Sequence, residues 1–291
     1  MTPHTAMELV RATSIDEVVD ALRIKEGARI LNGGTEVTRQ ISMGESSCST
    51  LVDIKRVPGL SGIVVNGGAL TIGATTKHWD IGENADVARL APGLARACGS
   101  LGNLRVRAQG SLGGNLAFGH PQSDPGAALL SQGATVVTAG PDGERRMDIE
   151  EVWMGPYQTG LETGECVLRI EVDPLASGWI AGYRRVEILH RPPSLTLGVC
   201  RFIEAGTIRG IRIGVGGVGD VPRRVRRVEE LISGAPVDQC REILEQSRED
   251  VVDDIQPRAD QVYSAEEKVT LFTNVLSSLL RMTMERSHDG H

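Results

Sequence analysis

The apolar positions change period several times along the chain, and each change marks an element. Ile15, Val18, Val19 and Leu22 recur at helical spacing. Ser14 precedes them and Glu17 lies three residues on, a helix start of capping-box type, and Gly27 ends the run. Residues 28–31 form a short apolar run that predicts a strand. It leads into Asn32-Gly33-Gly34-Thr35, which is loop chemistry, and then a short helix over 36–43 stopped by Gly44. Strands are predicted over 50–54, 62–65 and 69–75, the last two joined by the hairpin signal Asn66-Gly67-Gly68. Helical pattern fills much of 77–107, and a glycine-dense loop spans 110–119. Asp124-Pro125 reads as an N-cap followed by a first-turn proline, opening a helix that Gly133 closes. Segments 134–139 and 146–149 pair across Pro141-Asp142-Gly143, and 166–172 is the last strand of this half.

A boundary falls near 173–177. Beyond it come strands at 182–188, 196–204 and 208–214, then helices at 223–232, 237–248 and 265–284, with a frayed tail at 287–291. Strands followed by helices predict a separate α+β unit. The expected division is therefore 1–175, in two parts of 1–55 and 56–175, followed by 178–287.

Composition narrows the function classes. A chain of 291 residues has room for two domains, and 40% hydrophobic with 24% charged residues is ordinary for a soluble protein. There is no apolar run of about 18 residues to span a membrane and no secretory start, so the cytoplasm is the expected location. A net charge of -7 and only 3% aromatics argue against a nucleic-acid partner. Cys48, Cys98, Cys166, Cys200 and Cys240 contain no C-x-x-C pair, which predicts free thiols in a reducing compartment and no metal of the chain's own.

Two glycine-rich turns carry the candidate chemistry. The first, Ile30-Leu31-Asn32-Gly33-Gly34-Thr35-Glu36-Val37, joins a strand to a helix start, where free amides can face an anion and glycines admit close approach. The second, Gly110-Ser111-Leu112-Gly113-Gly114-Asn115, repeats that offer with Ser and Asn side chains. Either alone is commonly an ordinary tight loop. Together they suit a pyrophosphate held between them without a metal.

The pair resembles the two FAD-binding loops of the medium subunit of carbon monoxide dehydrogenase and its relatives, the flavin module of the xanthine dehydrogenase family. The resemblance continues through Leu51-Val52-Asp53-Ile54, Leu70-Thr71-Ile72-Gly73-Ala74, Arg105-Val106-Arg107, Pro121-Gln122-Ser123-Asp124, Thr163-Gly164-Glu165, Ile213-Gly214-Val215-Gly216-Gly217-Val218 and Tyr263-Ser264-Ala265-Glu266. It covers nearly the whole chain. It implies an α+β fold, a two-part, PCMH-like FAD-binding domain followed by a smaller α+β C-terminal domain. It also implies non-covalent FAD on residues 30–37 and 110–115, with Asp124 on a cofactor hydroxyl, Leu101 and Leu168 as apolar walls, and Arg185 near the flavin ring. Asp124 has the alternative role of helix N-cap, and both can hold; Arg185 has that of a solvated strand arginine. Molybdopterin and 2Fe-2S clusters are expected on partners only, a large molybdenum-binding subunit and a small 2Fe-2S subunit, in a dimer of heterotrimers. The sequence departs from the family at Asn32, Glu36, Phe118-Gly119 and Arg191-Pro192-Pro193.

Other signals are weaker. Gly214-Val215-Gly216-Gly217-Val218-Gly219 matches G-x-G-x-x-G, but Pro222 follows and no carboxylate-ended strand comes about 20 residues later, so a hairpin or bulge is expected. The basic run 223–227 reads as a solvated helix face balanced by Glu229 and Glu230, or as a docking face for an acidic partner. Among the histidines, His120 beside the second turn is the best functional candidate. The expected function is an FAD-carrying electron-transfer subunit of a molybdenum hydroxylase, without nucleophile or general base. The alternatives are a free-standing flavin oxidase or dehydrogenase and a cofactor-free assembly subunit.

Overall fold

The computed structural model describes residues 7–188 and 192–281. The chain opens with a βαβαβ unit: β1 (Glu8–Arg11), α1 (Ile15–Ile24), β2 (Ala28–Leu31), α2 (Val37–Ser42) and β3 (Thr50–Asp53). The strands pair parallel in the order β1-β3-β2, which the two crossover helices allow. Ser14 Oγ accepts from the Glu17 amide, but the Glu17 carboxylate accepts from the Thr13 amide at 2.7 Å, so the cap closes one residue earlier than a regular box. The first strand was not predicted, because its alternation is too short to register.

A five-stranded antiparallel sheet follows, in the order β4-β5-β10-β6-β7. Its members are β4 (Ile63–Asn66), β5 (Ala69–Gly73), β6 (Ala134–Gly140), β7 (Gly143–Asp148) and β10 (Cys166–Val172), with a small hairpin of β8 (Trp153–Gly155) and β9 (Gln158–Thr159). Between β5 and β6 the chain makes α3 (His78–Glu83), α4 (Ala85–Leu90), α5 (Pro92–Ser100), α6 (Leu104–Gln109), α7 (Leu112–Phe118) and α8 (Asp124–Gln132). The expected helical stretch is thus four short helices, broken where Asn84 and Asn103 cap new starts and Pro92 opens another. The expected loop at 110–119 is instead largely helix α7. Ser111 Oγ accepts from the Gly114 amide, and Gly119 ends the helix at φ 67°. Glycine count misled there, because a good cap and stop outweigh glycine's modest helix penalty.

The last sheet is antiparallel, β11-β12-β13-β14, from β11 (Ile180–Val186), β12 (Leu195–Glu204), β13 (Thr207–Gly216) and β14 (Arg223–Arg224). Helices α9 (Arg226–Ile232), α10 (Cys240–Gln246), α11 (Arg248–Ile255) and α12 (Ala265–Arg281) pack with its strands in one apolar cluster that includes Leu197, Ile213, Phe272 and Leu276. α11 was not predicted as a separate helix. The expected end of the last helix at 284, the tail at 287–291, and His190 and Arg191 lie outside the described residues.

Helix α8 joins the two halves, and all nine of its residues are buried. It lies against β12 and β13 where both carry glycine. A Cβ at Gly198 would sit 2.3 Å from the Ala127 carbonyl oxygen, and one at Gly214 would sit 2.2 Å from the same atom. Gly217, at φ 75°, and Gly219, where a Cβ would sit 2.7 Å from the Gln256 carbonyl oxygen, complete the run. The G-x-G-x-x-G match is therefore helix–sheet packing and a turn, with no nucleotide-binding role.

Candidate functional site

A cavity of about 870 Å³ lies where the parallel unit, the five-stranded sheet and β11 meet. Both glycine segments line it, through Ile30, Asn32 to Val37, Gly110, Ser111 and Gly113 to Asn115. Leu101, Asp124 and Arg185 line it too. Leu31 instead faces a neighbouring cleft, Leu112 is fully buried, and Leu168 packs into the core with Val18 and Val52. On β10 it is Val167, one residue earlier, that faces the cavity. Successive side chains on a strand point to opposite faces, so Leu168, which the resemblance implied as a wall, faces the core instead of the cavity.

The two segments are tied to each other as well as to the cavity. Lys77 Nζ donates to the Gln109 carbonyl at 2.9 Å and lies 3.5 Å from Asn32 Oδ1, while Asn32 Nδ2 reaches the Thr75 carbonyl at 3.5 Å. Asn32, a departure from the family pattern, thus takes part in the tie. A Cβ on Gly33 would lie 1.9 Å from the Gln109 carbonyl oxygen, and one on Gly113 would lie 2.6 Å from Ala74 Cβ. Gly34 is needed for its φ of 67°. Only Gly114 is open: a Cβ there would meet nothing but its cap, Ser111 Oγ, at 3.0 Å.

Where α8 meets β11, the charges are buried and ordered. Ser123 caps α8 by accepting from the Gly126 amide at 3.1 Å, so Asp124 is not the N-cap and its carboxylate is free for another use. The Tyr183 hydroxyl donates to Asp124 Oδ1 at 2.5 Å, and Arg185 Nε lies 3.1 Å from the same oxygen. Burial pushes the Asp124 carboxyl up to about 6, with Arg185 and the Tyr183 hydroxyl opposing. Arg185 also pairs with Glu187 at 2.8 Å and donates to the Ser100 carbonyl. Its side chain is 12% exposed, so it is not a solvated strand arginine.

His78 also lines the cavity, a residue that sequence alone did not single out. It is buried, its Nδ1 has no protein partner, and burial pushes its pKa down to about 4, with Lys77 adding to the shift. It is therefore neutral near pH 7. His120 Nδ1 accepts from the Gln122 amide at 3.0 Å, which leaves the proton on Nε2. Its ring lies among those of Phe118 and Tyr157, with centroids 6.0 and 5.4 Å away. Leu22, Ile54 and Leu161 supply apolar wall. They were missed because they come from three separate stretches of the chain. Three of the four arginines of the basic run are paired internally: Arg224 with Glu229 at 2.8 Å, Arg226 with Glu150 at 2.6 Å, and Arg227 with Asp250. Glu150 and Asp250, distant in sequence, replace the expected Glu230.

An FAD molecule suits this donor set. The cavity falls within the roughly 300–1,000 Å³ of small-molecule sites and combines apolar wall with few polar groups. The open face at Gly114 admits a ligand where any side chain would intrude, and His78 Nδ1 is a buried polar atom without a partner. Residues 5–175 match the family described as the FAD binding domain in molybdopterin dehydrogenase, and residues 194–283 match the CO dehydrogenase flavoprotein C-terminal domain. The chain belongs to this family of FAD-binding subunits of molybdenum-hydroxylase dehydrogenases, and it is an oxidoreductase component.

Among its relatives is the glyceraldehyde dehydrogenase medium chain of Sulfolobus acidocaldarius, 28% identical over 77% of this chain and 80% of that one. The xanthine dehydrogenase FAD-binding subunit of Escherichia coli is 24% identical over 93% of each chain. A solved carbon monoxide dehydrogenase from Hydrogenophaga pseudoflava, lacking the Mo-pyranopterin moiety of its molybdenum cofactor, superposes with a TM-score of 0.88 at 26% identity, covering 94% of this chain and 96% of that one. No helix among the described residues is long and apolar enough to cross a membrane.

Proposed function

We propose that this chain holds FAD in the cavity between its two glycine segments and serves as the electron outlet of a larger enzyme. The carrying observation is that one cavity gathers both segments, an apolar wall and the buried Asp124–Tyr183–Arg185 group. Residues 32–37 and 110–115 would hold the pyrophosphate and ribityl chain through backbone amides, with Ser111 and Asn115 adding polar side chains. Asp124 would accept from a cofactor hydroxyl, held in place by Tyr183. Arg185 would place positive charge near the ring, and Leu101 and Val167 would flank the aromatic systems. Bound FAD supplies a carrier that takes electrons singly and releases them in pairs.

The relatives' printed names, medium chain and FAD-binding subunit, support partners of other sizes. We assign the electron donor to 2Fe-2S clusters on a small subunit, the molybdopterin to a large subunit, and the assembly to a dimer of heterotrimers in the cytoplasm. The domain division we favour is 1–175, in two parts, and 178–287. The relatives' names give glyceraldehyde, xanthine and carbon monoxide dehydrogenases, so the hydroxylated substrate is a property of another chain.

The test is the visible absorption of the complex purified from its host. Flavin bands, FAD released by mild denaturation and iron–sulfur absorbance from partner chains are expected. Flavin without partners would favour a free-standing flavoenzyme. An intact complex without flavin would overturn the reading and leave an assembly role.

A further inference from the structure

Two stretches that carry the family resemblance, 213–218 and 263–266, meet beside one buried lysine outside the FAD cavity. Ser264 Oγ accepts from the Glu267 amide at 3.2 Å, and the Glu267 carboxylate accepts from the Ser264 amide at 2.7 Å, a reciprocal cap that fixes the start of α12. One residue on, Lys268 turns inward and is 3% exposed. Its Nζ donates to the Gly217 carbonyl at 2.7 Å and pairs with Asp260 Oδ2 at 3.0 Å. Asp260 Oδ1 accepts from the Val262 and Tyr263 amides at 2.7 and 2.8 Å. Burial opposes ionisation of this carboxyl, but those amides, the Ser194 hydroxyl and Lys268 overcome it and hold its pKa well below the ordinary carboxylate value.

Gly217 is also where the two halves of the chain are joined. Its amide donates to the Pro121 carbonyl at 3.0 Å, and among the described residues this is the one backbone hydrogen bond linking 178–281 to 7–175. The turn is wedged in place. A Cβ on Gly217 would lie 2.7 Å from the Pro193 carbonyl oxygen, and one on Gly216 would lie 3.4 Å from that of Ser123. Gln122, Ser123, Asp124 and Pro193 all line the FAD cavity, whereas Lys268 does not.

We propose that Lys268 is a positioning residue for the cofactor site: by holding the Gly217 carbonyl from behind, it sets the wall that segment 121–124 and Pro193 present to the FAD. A charge-assisted bond of this kind is directional and strong away from water. Gly217 is buried, so a carbonyl deprived of this donor recovers a partner only if the turn shifts. The inference rests on the FAD reading for the identity of the ligand, while the clamp itself is a property of the bare chain.

The experiment compares the full chain with K268M and with K268M/D260N. Exchange of the Gly217, Gln122, Ser123 and Asp124 amides is followed without FAD. FAD affinity and the visible circular dichroism of the bound flavin are followed with it. In K268M the Gly217 amide should exchange at least tenfold faster, FAD should bind at least tenfold more weakly, and the flavin dichroism should change shape. K268M leaves Asp260 without its cation and should lower the thermal midpoint, whereas the double variant removes both charges and should recover most of that loss. Its FAD affinity and dichroism should stay those of K268M, because the bond to Gly217 is still missing. Two results would overturn the proposal. In one, the double variant recovers affinity and dichroism together with the midpoint, which reduces Lys268 to charge balance. In the other, exchange and affinity are unchanged in K268M, and the turn holds itself. Where K268M does not fold, the double variant carries the same comparison with the parent. A parent chain that never retains FAD would count against the FAD reading instead, and the exchange of Gly217 would still show whether Lys268 holds the turn.

Discussion

The two glycine segments look alike as text and differ in what their glycines do. In the first, Gly33 lies against the Gln109 backbone and Gly34 supplies a left-handed φ. In the second, Gly110 lies against the Val106 backbone and His78, Gly113 against Ala74, and Gly114 meets only the Ser111 hydroxyl. Four of the five glycines therefore serve the protein's contact with itself or its own backbone turn, and only Gly114 is left clear on the cavity side. A glycine-rich loop in sequence is evidence of close approach, but it does not say what approaches.

The largest effect that would break this comparison is expected at Gly33. Gly33→Ala forces a methyl to within 1.9 Å of a backbone oxygen, so the two segments must separate. Overpacking of this kind costs about 3 kcal/mol, and the thermal midpoint of the FAD-free chain should fall by roughly 10 °C. An unchanged midpoint would show that the segments are not in contact. Gly113→Ala, 2.6 Å from Ala74 Cβ, should behave similarly and somewhat more mildly.

Acid should separate the segments next. The His78 amide donates to the Gly110 carbonyl at 3.2 Å, and a Cβ on Gly110 would lie 3.1 Å from His78 Cδ2, so this ring lies against the second segment. Its folded pKa, about 4, lies below its ordinary 6.5. The unfolded chain therefore takes up a proton that the folded chain refuses, and stability is lost as pH falls from 6.5 toward 4, by about 3 kcal/mol. Asp124 acts with the opposite sign. Its folded pKa of about 6 lies above its ordinary 3.8, so its contribution is complete below 3.8 and lost as pH rises through 6. The two partly cancel in the native chain. His78→Gln should remove the first contribution, and urea midpoints at pH 4.5 and 7 should then differ less in the unfavourable direction than in the parent. Identical pH profiles for the two chains would refute a buried neutral His78.

Gly114→Val isolates the ligand. The FAD-free midpoint should fall by no more than about 4 °C, the new side chain pressing on the Ser111 cap, itself worth about 1 kcal/mol. FAD affinity should fall at least tenfold, about 1.4 kcal/mol, as read by flavin fluorescence on dilution. Unchanged affinity would mean that FAD does not cross α7 at this point. The smallest contrast is between hydroxyls. Ser111→Ala removes the α7 cap and should cost about 1 kcal/mol. Thr35→Ala should cost under about 0.5 kcal/mol, because α2 has no side-chain cap bond. Equal costs would erase the difference between the two helix starts.

Most strands were legible from the sequence alone. Period-2 alternation and turn residues located β10 at its observed limits and the hairpin through Asn66-Gly67-Gly68. That the two segments, Leu31 and Leu112 apart, line one cavity was legible because glycine, Ser and Asn cluster there for backbone reasons that survive in a one-dimensional reading. Helix α7 was hidden because its glycines masked a good cap. The Asp124 cap was misplaced by one residue because Ser123 and Asp124 are both competent caps, and only the bond to Gly126 distinguishes them.

By itself, then, the sequence determined most of the strands and the two glycine segments, which follow from local propensity and turn chemistry, while the family and the FAD came through the resemblance those segments carry. Only the tertiary structure decided which side chains meet. It brought Tyr183 and Arg185 of β11 to Asp124 of α8, set Val167 rather than Leu168 on the cavity wall, buried His78 without a partner, and matched Arg226 and Arg227 to Glu150 and Asp250. Each of these depends on the sheet face or helix face that packing turns inward. Contacts between residues far apart in the chain leave no periodic trace in it.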